Sequence, residues 1–238
     1  MSTYTRVVLF IGFLSLFATS VQAHHLWLDS EGGGYRICRG IFPGKQEPYD
    51  SGRIVAVQAF GPDGTVIQCN RGNDDRGVTV FPLAPPALMT AVAEWGERVN
   101  TPEGKKLISR QEALDQGMAV LSSFNSTQYT KCFFEAGEMW FRPIGLPLEI
   151  IPLSGPEGLV HDAKSRFQVI FDGHPLASAE IMLGKGSYFS TDENGIFEYE
   201  MEDRRQHILI VRHTDKTDGE NSYRQYMSFL VFFNEKGR

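Results

Sequence analysis

Ile54-Val55-Ala56-Val57-Gln58-Ala59-Phe60, then Gly61-Pro62-Asp63-Gly64 and Val66-Ile67-Gln68-Cys69, is the stretch that sets the fold class. In a strand, successive side chains point to opposite faces. Ile54, Ala56, Gln58 and Phe60 therefore share one face, and Val55, Val57 and Ala59 the other. Both faces are largely apolar, as in a strand of a sandwich core. The Gly-Pro-Asp-Gly run is a turn, and the run after it is the returning arm of a hairpin. The same pattern recurs outward from here, at 78–81, 88–94, 129–134 and 149–153. Beyond these lie strands at 166–171, 180–183, 187–190 and 196–200, with turns at Asp172-Gly173 and Thr191-Asp192-Glu193-Asn194-Gly195. Residues 207–213 alternate with His207, Leu209, Val211 and His213 on one face, and 226–233 closes the series. Short strands with regular turn signals predict an all-β chain of two β-sandwich domains, immunoglobulin-like or prealbumin-like. Residues 96–128 are polar and predict an insertion in the first domain. Within it, 110–121 carries Ala113, Leu114, Gly117, Val120 and Leu121 on one side of a helix. The Gly/Pro cluster Ser154-Gly155-Pro156-Glu157-Gly158 is the predicted linker, dividing the chain into 24–154 and 159–238.

Residues 1–23 read as a cleavable signal peptide. Arg6 supplies the positive charge, an apolar run follows from Val7 to Ala18, and Val21 and Ala23 are the small residues before the cut. The run is short of the roughly 20 apolar residues of a membrane span, although an uncleaved anchor is the alternative. No Cys follows the cut, which excludes a lipoprotein anchor. The expected mature protein begins at His24 and is soluble in the periplasm. A net charge of −6 with no basic stripe argues against nucleic acid, since Arg204-Arg205 is the single compact basic group. Cys38, Cys69 and Cys132 are odd in number, so at most one pair forms within the chain. Cys38–Cys69 is the expected pair, with Cys132 a buried thiol.

A series of segments resembles one known family. They run from Ala23-His24-His25-Leu26-Trp27-Leu28 through Glu47-Pro48-Tyr49-Asp50, Ala59-Phe60 and Tyr129-Thr130-Lys131 to Pro147-Leu148-Glu149-Ile150-Ile151-Pro152-Leu153. Phe171-Asp172-Gly173-His174-Pro175-Leu176-Ala177, Thr191-Asp192-Glu193-Asn194-Gly195 and Val211-Arg212-His213 continue the series. In this order they are similar to the periplasmic group associated with nickel uptake, the NikM/NikK-like proteins. The second half also resembles the carboxypeptidase-regulatory-like sandwich. The resemblance implies a periplasmic accessory protein that binds Ni²⁺ or a related divalent ion and passes it to a nickel/cobalt uptake transporter. Many members carry a Gly-His pair where this chain has Arg39-Gly40-Ile41-Phe42-Pro43, without His.

The residues make their own case for metal. Cleavage after Ala23 leaves His24 with a free α-amine beside its imidazole, and the amine and Nδ1 of one residue can chelate one ion. Imidazole suits Ni, Cu and Zn, with Co²⁺ also open. His25, in position two, offers a square-planar mode for Cu(II) or Ni(II) with the amine and the intervening amide. His213 is the expected further ligand, with Asp215 as a second ligand or as the group that orients it. The amine has an ordinary pKa near 8, so binding should weaken on acidification. His161 and His174 sit in turns and read as solvated, and His207 as structural or exposed. Catalysis is not expected. There is no nucleophile elbow and no glycine-rich loop opening a helix, and Asp74-Asp75 lies in a polar loop. A copper oxygenase using His24, His213 and Tyr226 has no supporting motif. The rival from another class is a non-catalytic envelope scaffold or adhesion module with no metal site.

Overall fold

In the computed structural model, which describes residues 24–135, 137–155, 164–183, 187–202, 206–217, 219 and 221–233, the first hairpin closes on two glycines. β1 (His25–Glu31) and β2 (Gly34–Gly40) pair with Glu31 opposite Gly34. The two residues between them, Gly32 and Gly33, have φ of 59° and 80°. Positive φ at both central residues matches the twist of the flanking strands and is easy only for glycine. The predicted signal peptide, residues 156–158 of the predicted linker, His161 and Arg204-Arg205 lie outside the described residues.

The chain continues through β3 (Ile54–Phe60), β4 (Val66–Ile67), β5 (Cys69–Asp74), β6 (Gly77–Pro82), β7 (Leu88–Thr101) and β8 (Gly104–Lys106). A short helix α1 (Arg110–Asp115) precedes β9 (Ser122–Phe133) and β10 (Leu148–Pro152). Then come β11 (Lys164–Phe171), β12 (His174–Pro175), β13 (Glu180–Leu183), β14 (Ser187–Ser190), β15 (Ile196–Glu200), β16 (Gln206–Lys216) and β17 (Ser222–Phe233). The chain is all-β in character, as its alternation predicts. Among the described residues no helix is long and apolar enough to cross a membrane.

Among the described residues the strands form three sheets. One has the order β1-β2-β6-β5, and a second joins β10 to β11, with β12 and β15 on β11. The third and largest runs β14-β13-β16-β17-β9-β7-β3-β4, with β8 on β7. The predicted division at 154–159 does not coincide with these sheets. β17 pairs with β9 in parallel from Ser222↔Ser123 to Val231↔Cys132, and β10 pairs with β11. Two of the three sheets therefore take strands from both halves of the chain.

The large sheet is the middle layer. Leu209, Val211, Leu230 and Phe232 on one face pack with Ile150, Phe167, Val169 and Phe197 of the β10–β11–β15 sheet. Ile210, Phe229, Val231 and Cys132 on the other face pack with Leu26, Leu28, Ile37 and Val80 of the β1–β2–β6–β5 sheet. A sheet apolar on both faces must be covered on both, which accounts for the three layers. β7, β9, β16 and β17 all carry buried residues on both sides. β3 lies near an edge, and its Val55 is 51% exposed.

About half of the stretch predicted as an insertion is strand. β7 continues through 96–101, turns into β8, and only six residues form α1. Ser109 caps that helix by accepting the Glu112 N–H at 3.0 Å. The helix ends well before 121, with Gly117 in the left-handed region at φ 71°, a common helix stop. All three cysteines are free thiols, so the expected Cys38–Cys69 bond is not formed. Cys38 is instead packed between the layers, where burial pushes its thiol up to about 12.

At the far end of the first hairpin, buried Arg36 donates two hydrogen bonds to Asp74 at 2.9 and 2.7 Å and one to Glu31 at 2.6 Å. The guanidinium holds the Asp74 carboxyl down to about 2. A depressed carboxyl stabilises the fold above its unfolded pKa of about 3.9 and loses that contribution as pH falls through the folded value. Urea unfolding between pH 5 and pH 2 is expected to show this acid loss, and Arg36→Met to remove it. An unchanged pH slope in Arg36→Met would mean that the pair contributes nothing.

Candidate functional site

The residue before β1 sits between two layers. His24 Nε2 lies 2.6 Å from Glu47 Oε2, and its carbonyl accepts a hydrogen bond from Gln128 Nε2 at 3.1 Å. Glu47 also lies 3.4 Å from Arg39 Nη1 and 3.4 Å from Lys45 Nζ. Burial raises the Glu47 carboxyl, and His24 and Lys45 more than offset it, so the group stays below the usual carboxylate range. An ionised carboxylate only accepts hydrogen bonds. Neutral His24 therefore carries its proton on Nε2 and keeps its lone pair on Nδ1.

The other two expected ligands do not join it. His25 is 5% exposed, and its Nδ1 accepts the Phe42 N–H at 3.1 Å. Burial, with a smaller contribution from His24, lowers its pKa to about 4. In the structure its Nδ1 is occupied by the backbone. His213 lies on β16 opposite Tyr226, with its ring 4.6 Å from Phe171. Its Nε2 is 2.7 Å from Asp215 Oδ1, so Asp215 is an orienting partner. Residues alternate along β16. His213 shares the face of Leu209 and Val211, whereas Arg212 shares that of Ile210, toward His24. His24 and His213 are thus on opposite sides of the middle sheet. His207 is buried, with its ring stacked 5.2 Å from Phe232, and His174 is exposed. Among the described residues no cluster of three or more His, Cys, Asp or Glu side chains is arranged to hold a metal.

What surrounds His24 instead is positive charge. His24, Trp95, Arg39, Arg98, Lys105 and Arg212 line one cleft of about 230 Å³. A bulge in β7 builds it. Glu94 pairs with Thr127 and Glu97 with Asn125, so Trp95 and Gly96 together oppose Ser126. Gly96 takes φ 74°, the left-handed conformation such bulges use. One extra residue flips every later side chain to the other face. Without it Arg98 would share the face of Leu88 and Val92. With it, Arg98 stands opposite Phe124 on the same side as Trp95.

The cations are incompletely neutralised. Arg212 makes a bidentate pair with Glu180 at 2.9 and 2.6 Å, and Arg39 reaches Glu47. Arg39 itself stacks 4.8 Å above the Trp95 ring, and Lys105 Nζ lies 5.2 Å from the Phe124 ring. Burial lowers the Arg98 pKa, and the charges of Arg39 and Arg53 lower it further. Burial also lowers the Lys105 pKa, and Arg98 and Arg212 push it the same way. Trp95 Nε1, Arg98 Nε and Gln128 Oε1 are buried without a hydrogen-bond partner among the described residues. Sequence reasoning missed this cluster because its members stand at 39, 98, 105 and 212, each in an ordinary local setting. The available signal was Gly96 inside a strand-like run, which marks a bulge.

The family model described as Domain of unknown function (DUF4198) matches residues 21–215. No curated protein matches, nor does any solved structure.

Proposed function

The chain belongs to the DUF4198 family, a domain of unknown function, and from that premise we propose that it is an exported protein that binds a divalent transition metal at His24 and assists metal uptake. The observation that carries this reading is the 2.6 Å contact between His24 Nε2 and Glu47. Metal-binding histidines are commonly held by a carboxylate on the nitrogen that does not bind metal. Glu47 would play that part, leaving Nδ1 for the ion. Cleavage after Ala23 would place the α-amine on the same residue, giving a two-point chelate. His25 and His213 leave the ligand set, the first through its bond to Phe42 and the second through its position on the opposite face. The cargo is Ni²⁺ first, with Co²⁺ and Cu²⁺ compatible with the same nitrogens. The resemblance to the periplasmic nickel-uptake group supports transfer to an uptake transporter. The role is binding, not catalysis.

Calorimetric titration of protein beginning at His24 with Ni²⁺, Co²⁺, Cu²⁺ and Zn²⁺ tests this. One ion per chain is expected. Adding one glycine before His24 is expected to weaken binding at least about tenfold, and Glu47→Gln by about tenfold. His213→Ala should leave it unchanged. Equal affinity with and without the added glycine would rule out the amine–imidazole site.

A further inference from the structure

We infer that the cleft beside His24 is a binding site for a small organic polycarboxylate carrying a hydroxyl group. Its walls come from three distant parts of the chain, Arg39 on β2, Arg98 and Lys105 on the β7–β8 arm, and Arg212 on β16. This concentration of cations stands in a chain whose net charge is −6. A general basic character therefore does not explain it. Glu47 and Glu180 offset two of the four cations, and among the described residues Arg98 and Lys105 have no acidic partner. Like charges held together in a partly dry cleft repel one another, and a bound anion relieves that repulsion.

The unpaired atoms say what kind of anion fits. Trp95 is 6% exposed, and among the described residues its Nε1–H has no acceptor; neither has the Arg98 Nε–H. Buried donors without partners are rare in folded proteins. Carboxylate oxygens suit both, and the planar guanidinium of Arg98 can take one carboxylate at two points. Gln128 is 5% exposed, and its amide nitrogen is committed to the His24 carbonyl, which fixes the amide's orientation. Its Oε1 is therefore an acceptor that lacks a donor among the described residues. A ligand hydroxyl would supply one. A volume of about 230 Å³ holds an organic acid with several carboxylates, since a water occupies about 30 Å³ in the liquid. The aromatic rings of Trp95 and Phe124 would contact its carbon skeleton.

Anion binding in the cleft needs no metal at His24, so metal-free protein separates the two. Citrate, tricarballylate (the same three carboxylates without the hydroxyl), inorganic phosphate and sulfate are titrated by calorimetry into the exported protein. Citrate is expected to bind one to one, at least about tenfold more tightly than phosphate or sulfate, and more tightly than tricarballylate. Arg98→Gln and Lys105→Gln are each expected to weaken citrate binding at least about tenfold. Thermal unfolding runs beside this, with citrate raising the melting temperature of the parent more than that of the Lys105→Gln protein at the same citrate concentration. Lys105 lies on the short β8 arm, so its replacement leaves the layers intact even if Arg98→Gln does not fold. Equal binding of phosphate and citrate would reduce the site to general anion attraction. Equal binding of tricarballylate and citrate would remove the hydroxyl from the assignment. Citrate affinity unaffected by Lys105→Gln in a folded protein would overturn the site altogether.

Discussion

Replacing Lys131 by methionine is expected to destabilise the protein by about 3–5 kcal/mol, the usual cost of removing one member of a buried ion pair. Lys131 points from β9 into the layer beneath β10, and its side chain is 1% exposed. Its Nζ lies 2.6 Å from Glu149 Oε1 and donates to the Arg142 carbonyl at 3.0 Å. Glu149 in turn accepts the Ile144 N–H at 3.0 Å and is itself fully buried. Burial pulls the Lys131 pKa down, and Glu149 opposes that pull. Without the ammonium, the carboxylate would be left without its buried counter-charge in an apolar layer, which costs folding free energy. The double variant Lys131→Met/Glu149→Gln keeps an acceptor for Ile144 and removes both charges, so it should regain much of the loss. Urea unfolding at pH 7 of the parent, both single variants and the double variant measures the coupling. A single-variant loss below about 1 kcal/mol would contradict the burial of this pair.

Acidification is expected to cost the metal-free protein about 2–3 kcal/mol between pH 6.5 and pH 4 through His25 alone. Its imidazole is held neutral, with a pKa lowered to about 4 by burial and by His24. In the unfolded chain it titrates near 6.5. Between these values the unfolded state binds more protons than the folded state, so stability falls as pH falls. The contribution is complete above about pH 6.5 and is gone below about pH 4. A tenfold difference in proton affinity between the two states corresponds to about 1.4 kcal/mol, which sets the size. His25→Asn keeps an acceptor for the Phe42 N–H and cannot titrate, so its stability should be flatter over this window. This window lies above the one assigned to Asp74, and the two variants separate them. If His25→Asn loses stability on acidification as steeply as the parent, the neutral buried imidazole is not the cause.

Much of the local structure was legible in the sequence. The alternation at 54–60 and 207–213 named β3 and β16, and Asp192-Glu193-Asn194-Gly195 named the turn before β15. His24 was legible as a residue of interest through its position after Ala23. Its partner Glu47, 23 residues on, was not, because no local rule joins a strand end to a distant loop. The polar look of 96–128 suggested an insertion, whereas the structure continues β7 to Thr101 and pairs it with β9 as far as Asn100↔Ser122, with Arg98 and Phe124 in the wall of the cleft. Arg98 and Lys105 there line that cleft, and residues 107–121 form the helix-bearing connection between β8 and β9.

The all-β class and many of the strands and turns were determined by the sequence by itself, because alternation and turn chemistry act over a few residues, whereas β1, β2, β5 and β8 were not read from it. The tertiary structure alone decided the joining of both halves through the β9–β17 pair, the separation of His213 from His24, and the gathering of four cations beside Trp95. These depend on register and on which face each side chain takes. A single bulge at Trp95-Gly96 reverses that face for everything beyond it, and a parallel pair such as Met227↔Gln128 joins residues about a hundred positions apart. Local patterns carry no record of such pairings, because burial between layers selects them only when the whole sheet is assembled.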